Sequence, residues 1–328
     1  MTAPAPTTTW VVGSGGLLGG AVTRALRGRG ATVLEADIPW RDPERAHAAL
    51  TAGFAALMAA AAGGPWNVAW CAGAGVTATP REVLDAELET LRRFVSHVLS
   101  QGPVVTSCGA VFLASSAGAI YAGGPDSPFT EDSLPAPLAA YGEAKLRAEG
   151  AVGRLAIEGG TCVLVGRISN LYGPGQDLSK AQGLISQMCR AQRSAQPIAV
   201  YVSLDTIRDY LFVDDAAALV RDGLEHLRDK VSVDGLRPPL VTKILASQRS
   251  VSIAALVGEF RRLFKKPPLV RLAASPFARQ QARILRFRSV VWPELDERPL
   301  TPLGAGIKAT SAEIDRRILA GELARPNR

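Results

Sequence analysis

TTTWVVGSGGLLG, residues 7–19, turns from β-branched and apolar residues into glycines within a few positions. The first part, 7–12, predicts a buried strand. The stretch that follows, AVTRALRGRG at 21–30, has helical apolar spacing and closing glycines, so it predicts a helix of about ten residues. Gly13, Gly16 and Gly19 stand three apart, with Gly15 between them. Glycines at such a strand-to-helix turn let the backbone fold tightly, approach a pyrophosphate and pack helix on strand, and the helix N-terminus offers N–H donors and positive dipole to phosphate.

The next strand, 31–36, ends in Asp37, 18 residues past Gly19 and close to the ~20 expected of an acid on an adenosine ribose. A carboxylate there repels a 2′-phosphate and favours NAD over NADP. Glu35 is the rival on the same strand, and Arg41 lies nearby. Segment 42–62 reads as an Ala-rich helix and 67–71 as a buried strand, followed by small residues at 72–75 where backbone passes close to a ligand. An amphipathic helix is expected over 81–101 and a strand over 111–114, ending in Ser115-Ser116-Ala117-Gly118. A Pro- and Asp-rich loop at 125–137 is expected over the site. Tyr141 and Lys145 then share a helix face. An ammonium beside a phenol favours the phenolate, which makes Tyr141 a candidate general acid or base. The strand 161–165 and the turn RISNLYGPGQ follow.

Strand and helix alternate throughout this stretch, so the fold class is α/β, a doubly wound parallel sheet with its site at the carboxyl ends of the strands. After Gly175 the rhythm breaks: helix at 183–193, strand at 198–202, helix at 216–227, a closing helix at 311–323. The expected division is a dinucleotide-binding domain over 7–175, to which 208–227 returns, and a smaller, irregular substrate lobe over most of 176–328.

The totals set limits. A chain of 328 residues with 47% hydrophobic content has ample core. Its start carries no secretory pattern, and the longest apolar run, near 55–62, is too short to span a membrane. Cys71, Cys108, Cys162 and Cys189 are widely spaced with no C-x-x-C pair, as expected of reduced thiols in a cytoplasmic protein. His47, His97 and His226 lie far apart on predicted helices and suggest no metal site. Residues 1–189 hold 13 basic and 15 acidic side chains and 190–328 hold 24 and 15, so the net +7 is −2 in the front half and +9 in the back half. With no nucleic-acid module or basic-aromatic run, an anionic small molecule is the expected partner.

Taken in order, G-x-x-G-x-x-G at 13–19, the acid at 37, C-A-G at 71–73, S-S before A-I-Y at 115–121, Y-G-E-A-K at 141–145, N-L-Y-G-P-G at 170–175 and R-D-Y-L-F-V-D-D at 208–215 resemble the extended short-chain dehydrogenase/reductases, in particular the nucleotide-sugar epimerase/dehydratase group. LTPLGAGIKAT at 300–310 is similar to that group's closing motif. The resemblance implies a Rossmann sheet with NAD held by Gly13, Gly15, Gly16, Leu17, Leu18, Gly19, Asp37, Cys71, Ala72 and Gly73. It implies Tyr141 as the acid/base, Lys145 on the nicotinamide ribose, and a serine on the reacting oxygen, Ser116 or alternatively Ser115. Asn170 and Arg208 would face the nucleotide diphosphate, with an ion pair to Asp209 or Asp214 the competing account of Arg208. A homodimer is a family expectation.

Three departures from the group stand out. One extra residue separates the serines from Tyr121, the span from Asp37 to residue 43 leaves only a few residues near Trp40 for the usual third strand, and 267–300 is atypical. The second phosphate-binding arginine is therefore open among Arg271, Arg279 and Arg283. Where a dehydratase of the group carries Asp-Glu, this chain has Ala117, Gly118 and Ala119, which move no protons. The expected reaction is thus NAD-dependent epimerisation of a nucleotide-diphosphate sugar at C4. A reductase, dehydrogenase or dehydratase of the same group is the alternative, and a non-catalytic NAD-binding regulator a further one.

Overall fold

Five residues buried end to end make β1 (Thr8–Val12) an interior strand, and their alternation sets the layers. Trp10 and Val12 face one hydrophobic cluster and Val11 the other. The computed structural model describes residues 7–179, 183–194, 197–273 and 282–323. After β1 come α1 (Leu17–Arg27), β2 (Val33–Leu34), α2 (Pro43–Ala61), β3 (Trp66–Trp70), α3 (Arg81–Leu99), the short α4 (Pro103–Thr106), β4 (Gly109–Ser116), the short α5 (Ala117–Ile120), α6 (Ala140–Gly159) and β5 (Cys162–Ile168). The chain continues through β6 (Asn170–Tyr172), α7 (Leu184–Ser194), β7 (Ile198–Val200), β8 (Ile207–Arg208), β9 (Tyr210–Phe212) and α8 (Val213–Val233). It closes with β10 (Leu240–Leu245), β11 (Val251–Ser252), α9 (Ile253–Phe264), β12 (Val270–Leu272) and α10 (Leu303–Leu319).

Six strands form one parallel sheet in the order β10-β5-β4-β3-β1-β2. Its first face packs on α2, α3 and α6 through Trp10, Leu50, Phe54, Phe94 and Val152, with Phe54 set edge-on to Trp66 at 5.2 Å. Its second packs on α1 and α8 through Val11, Val22, Leu164 and Leu224. This is the doubly wound arrangement that the alternation of strand and helix predicts. Trp66 and Trp70, at the two ends of β3, are both buried.

A separate cluster of Tyr172, Met188, Phe212, Leu256, Phe260 and Ile307 binds α7, α9 and α10 together beside the sheet. A fourth cluster, which includes Ile120, Tyr121, Phe129, Leu285 and Phe287, fastens the 284–288 segment over α5. One charge is sealed into this framework. Lys243, in mid-β10, is fully buried and donates to Ser289 Oγ (2.8 Å), to the Val291 carbonyl (2.6 Å) and to Asp296 Oδ2 (2.6 Å). A buried ammonium is tolerable only with such partners.

Several boundaries differ from the sequence reading. The strand expected over 31–36 pairs only at Val33 and Leu34, because it is the sheet edge and has β1 on one side alone. No strand occurs near Trp40, whose ring instead meets Trp70 edge-on at 6.2 Å. The last helix begins at Leu303, eight residues before the expected start at 311.

Candidate active site

The carboxyl ends of β1, β3 and β4 bring three short backbone stretches to one edge. At the first, the Cys71 amide donates to the Val12 carbonyl (2.9 Å), which sets the loop after β3 against the glycine turn. Gly13 has φ +86°, and a Cβ there would lie 2.8 Å from the backbone of Ala72. The Gly16 amide donates to Gly13 O (3.0 Å), and a Cβ on Gly19 would stand 2.1 Å from that same oxygen. Only glycine fits either position. Gly16 caps α1, whose first turn carries no acid, so the positive end of the helix dipole is left for an anion. Leu18 is buried in the core and Leu17 packs against it, which leaves their backbone, with exposed Gly15, to face the loop edge.

The second stretch meets α6. Lys145 Nζ lies 5.7 Å from the Tyr141 ring centroid and donates to the Ala114 carbonyl at 3.0 Å, which leaves two of its three N–H groups for other acceptors. A Cβ on Gly73 would be 3.6 Å from that ammonium, and a Cβ on Gly75 only 3.4 Å from the Tyr141 ring. The phenol and the ammonium thus lie along the backbone of residues 73–75. Cys71 sits beside them as a neutral thiol: burial pushes it up to about 12, against the opposing charge of Lys145. The cysteines Cys71, Cys108, Cys162 and Cys189 are all free.

The third stretch separates the two serines. Ser116 caps α5, its Oγ accepting from the Ala119 amide at 3.3 Å, and its own proton is left to donate. Ser115 is buried and donates to Glu149 Oε1 at 2.5 Å. A Cβ on Gly142 would fall 2.4 Å from the Ala119 carbonyl, so the first turn of α6 rests directly on the turn that Ser116 caps.

Glu149 and Arg167 went unread in the sequence. Glu149 follows Lys145 by four residues, as Lys145 follows Tyr141, and that spacing was its only signal. Arg167 grips its carboxylate in a fork (NH2 to Oε2 2.8 Å, Nε to Oε1 3.1 Å) and donates through NH1 to the Tyr121 hydroxyl at 2.5 Å.

The remaining candidates lie at the rim. Asp37 is exposed just past β2, whereas Glu35 is taken up by Arg27 at 2.5 Å. The Asn170 side chain donates to the Asp209 carbonyl at 2.8 Å. Arg208 forms no ion pair with Asp209 or Asp214. The Asp209 carboxylate accepts from Ser247 and Arg249, and Asp214 pairs with Arg24 at 3.0 Å. The guanidinium donates instead to the carbonyls of Ile207 (2.8 Å) and Arg283 (3.4 Å), and burial lowers its proton affinity. Arg283 pairs with Asp205, Arg271 is exposed on β12, and Arg279 lies outside the described residues. The 125–137 loop is tied down at Phe129, whose amide and carbonyl bond to Arg286 and Arg288. Among the described residues no three metal-ligating side chains cluster, and no helix is long and apolar enough to cross a membrane.

Comparison with known proteins gives these features a context. Residues 9–234 match the NAD dependent epimerase/dehydratase family. Over 119 residues the chain is 33% identical to dTDP-4-dehydro-6-deoxyglucose reductase of Escherichia coli, covering 36% of this chain and 37% of that protein. Over an equal length it is 27% identical to dTDP-L-rhamnose 4-epimerase of Burkholderia thailandensis, covering 36% and 33%. It therefore spans about a third of the length of these curated relatives. The fold matches UDP-glucose 4-epimerase of Thermotoga maritima with UDP-glucose at a TM-score of 0.73 and 19% identity, over 95% of this chain and 100% of that one. It matches MoeE5 in complex with UDP-glucose and NAD at 0.75 and 20%, over 95% and 99%. RMD from Pseudomonas aeruginosa complexed with NADPH matches at 0.73 and 20%, over 95% and 98%. At these identities the likeness to solved structures is one of fold.

Proposed function

The chain belongs to the NAD dependent epimerase/dehydratase family, and from that premise we propose that it inverts the C4 hydroxyl of a nucleotide-diphosphate sugar, with NAD as its cofactor. The carrying observation is the meeting of Tyr141, Lys145 and Ser116 at one sheet edge, beside an α5 built only of Ala117, Gly118, Ala119 and Ile120. The glycine turn and the acid-free start of α1 fit a dinucleotide pyrophosphate. Asp37 suits an adenosine ribose and opposes a 2′-phosphate, since Glu35 is already engaged by Arg27. NAD, when bound, supplies hydride acceptance and return.

The chain's own residues handle protons, charge and orientation. Tyr141 takes the proton of the sugar hydroxyl and later returns it. Lys145, steadied on the Ala114 carbonyl, lies beside that phenol and has two donors left for the nicotinamide ribose. Ser116, its oxygen already accepting from Ala119, donates its proton to the same sugar oxygen. Among the described residues Arg208 donates to two carbonyls, and a diphosphate would complete its guanidinium in fork geometry. Elimination of water needs a further acid and base, and α5 provides neither.

A second reading, reduction of a 4-keto nucleotide sugar, is favoured by the 33% identity to the E. coli reductase. One experiment separates the two: identify the nicotinamide released on denaturation, then follow native protein with UDP- and dTDP-hexoses by NMR. Co-released NAD and C4-inverted product without net NADH support epimerisation, whereas product only on addition of NAD(P)H supports the reductase. Tyr141→Phe should lower turnover by about 10²–10⁴-fold. Turnover within a few-fold of wild type removes the acid/base assignment.

A further inference from the structure

We propose that Glu149, locked by Arg167, is the positioning residue that sets the register of α6 and so places Tyr141 and Lys145; the inference rests on the functional reading above. Tyr141, Lys145 and Glu149 recur at four-residue intervals on one helical face. Two of the three are fastened to neighbouring residues of β4: Lys145 to the Ala114 carbonyl at 3.0 Å and Glu149 to the Ser115 hydroxyl at 2.5 Å. Two ties one helical turn apart fix both the rotation and the translation of the helix along the strand. A slip of one residue would turn the face by about 100° and slide it by about 1.5 Å, which carries the Tyr–Lys pair off the loop at 73–75.

Arg167 makes the outer tie rigid. It lies directly across from Ser115 in the β4–β5 register. Its fork occupies both oxygens of Glu149, and its remaining terminal nitrogen holds Tyr121, the residue that ends α5. Tyr121 stacks on Phe129 at 5.4 Å with the rings 5° from parallel, so the same linkage reaches the 125–137 loop. The side chains of Glu149 and Arg167 are each 10% exposed. Buried ion pairs contribute little net stability compared with apolar side chains of similar volume, so the positioning role rests on the directional bonds that tie this pair to Ser115 and Tyr121. The network also commits the Ser115 hydroxyl, so Ser116 is the serine left to meet substrate.

The test uses the Glu149→Gln/Arg167→Met double variant, which removes both charges together while Gln keeps an acceptor for Ser115. Affinity for NAD is measured by equilibrium dialysis against labelled NAD, alongside kcat, KM and melting temperature. The expected result is a melting temperature lowered by no more than about 2–5 °C, since the buried Tyr121 hydroxyl loses its Arg167 donor, with NAD bound about tenfold more weakly and kcat down about 10–100-fold at a KM within about threefold. Wild-type NAD affinity together with wild-type kcat overturns the proposal and leaves the pair a packing element. Ser115→Ala, which keeps the ion pair and removes one tie, guards against a double variant that does not fold. It should weaken NAD binding about threefold or more, and unchanged affinity there also counts against the proposal. If the wild-type protein turns over no nucleotide sugar, the functional reading falls while the NAD affinities still decide the positioning role.

Discussion

Two glycines of α6 should answer the same substitution in opposite ways. A Cβ on Gly142 would stand 2.4 Å from the Ala119 carbonyl oxygen and 2.7 Å from Pro137 Cβ, whereas one on Gly150 meets nothing within 4 Å. Ordinary contact needs about 1 Å more room than Gly142 has, and the obstacle is backbone, so no rotamer change relieves it. Overpacking of this kind costs about 1–3 kcal/mol, offset by about 1 kcal/mol from replacing glycine with alanine in a helix. Gly142→Ala should therefore lose up to about 2 kcal/mol, a drop of several degrees in melting temperature. Its larger effect is catalytic, since moving Tyr141 by about 1 Å costs on the order of 10²-fold in kcat. Gly150→Ala gains the helical term alone, about 1 kcal/mol or ~1–2 °C, with kcat unchanged. Calorimetry and a C4-epimerisation assay on both variants check the pair. If Gly142→Ala matches Gly150→Ala in stability and turnover, α6 does not rest on α5 as described, and the placement of Tyr141 argued from that contact falls with it.

Ser116→Ala should cost about 10²-fold in kcat and Ser115→Ala less than about tenfold, measured at saturating substrate. A reversed order would return Ser115 to the catalytic position. Arg208→Met should raise the substrate Kd by about tenfold or more, as expected for the loss of charge-assisted bonds to phosphate, and leave NAD affinity unaltered. Separate calorimetric titrations with nucleotide diphosphate and with NAD read the two affinities, and equal weakening of both ligands would place Arg208 elsewhere. Burial pushes the Cys71 thiol up to about 12, so it keeps its proton until the pH approaches that value. At pH 8 its thiolate fraction is on the order of 10⁻⁴, against about a quarter for a free cysteine. Iodoacetamide should modify it about 10³-fold more slowly than glutathione, as followed by peptide mass spectrometry, and labelling at the glutathione rate would refute the upward shift of this thiol.

The residues that could be read from the sequence are those whose task is local. The glycine turn needs its neighbours within a few positions, so strand, turn and helix announce it. Tyr141 and Lys145 are one helical turn apart and carry their relation in their spacing. What escaped was set by distant partners. β10 reads LVTKIL, a β-branched run with a lysine in its middle, and that lysine is buried because Asp296 lies 53 residues further on. The early start of α10 was hidden by Gly304 and Gly306, which resemble a loop. In the fold, a Cβ on Gly306 would lie 2.3 Å from the Tyr172 hydroxyl, so that glycine serves close packing against another element. Arg208 was weighed against two acidic neighbours in sequence, yet each of those has a partner elsewhere.

The sealed ammonium of Lys243 has a consequence for biosynthesis. Translation delivers Lys243 well before the carboxylate that neutralises it, which lies 53 positions further on. Until residues 289–296 arrive, the ammonium of a docked β10 meets water, because its side-chain and carbonyl partners all come from that segment. The strand can thus pair with β5 while its lysine is still hydrated, and residues 289–296 seal the charge when they fold over it.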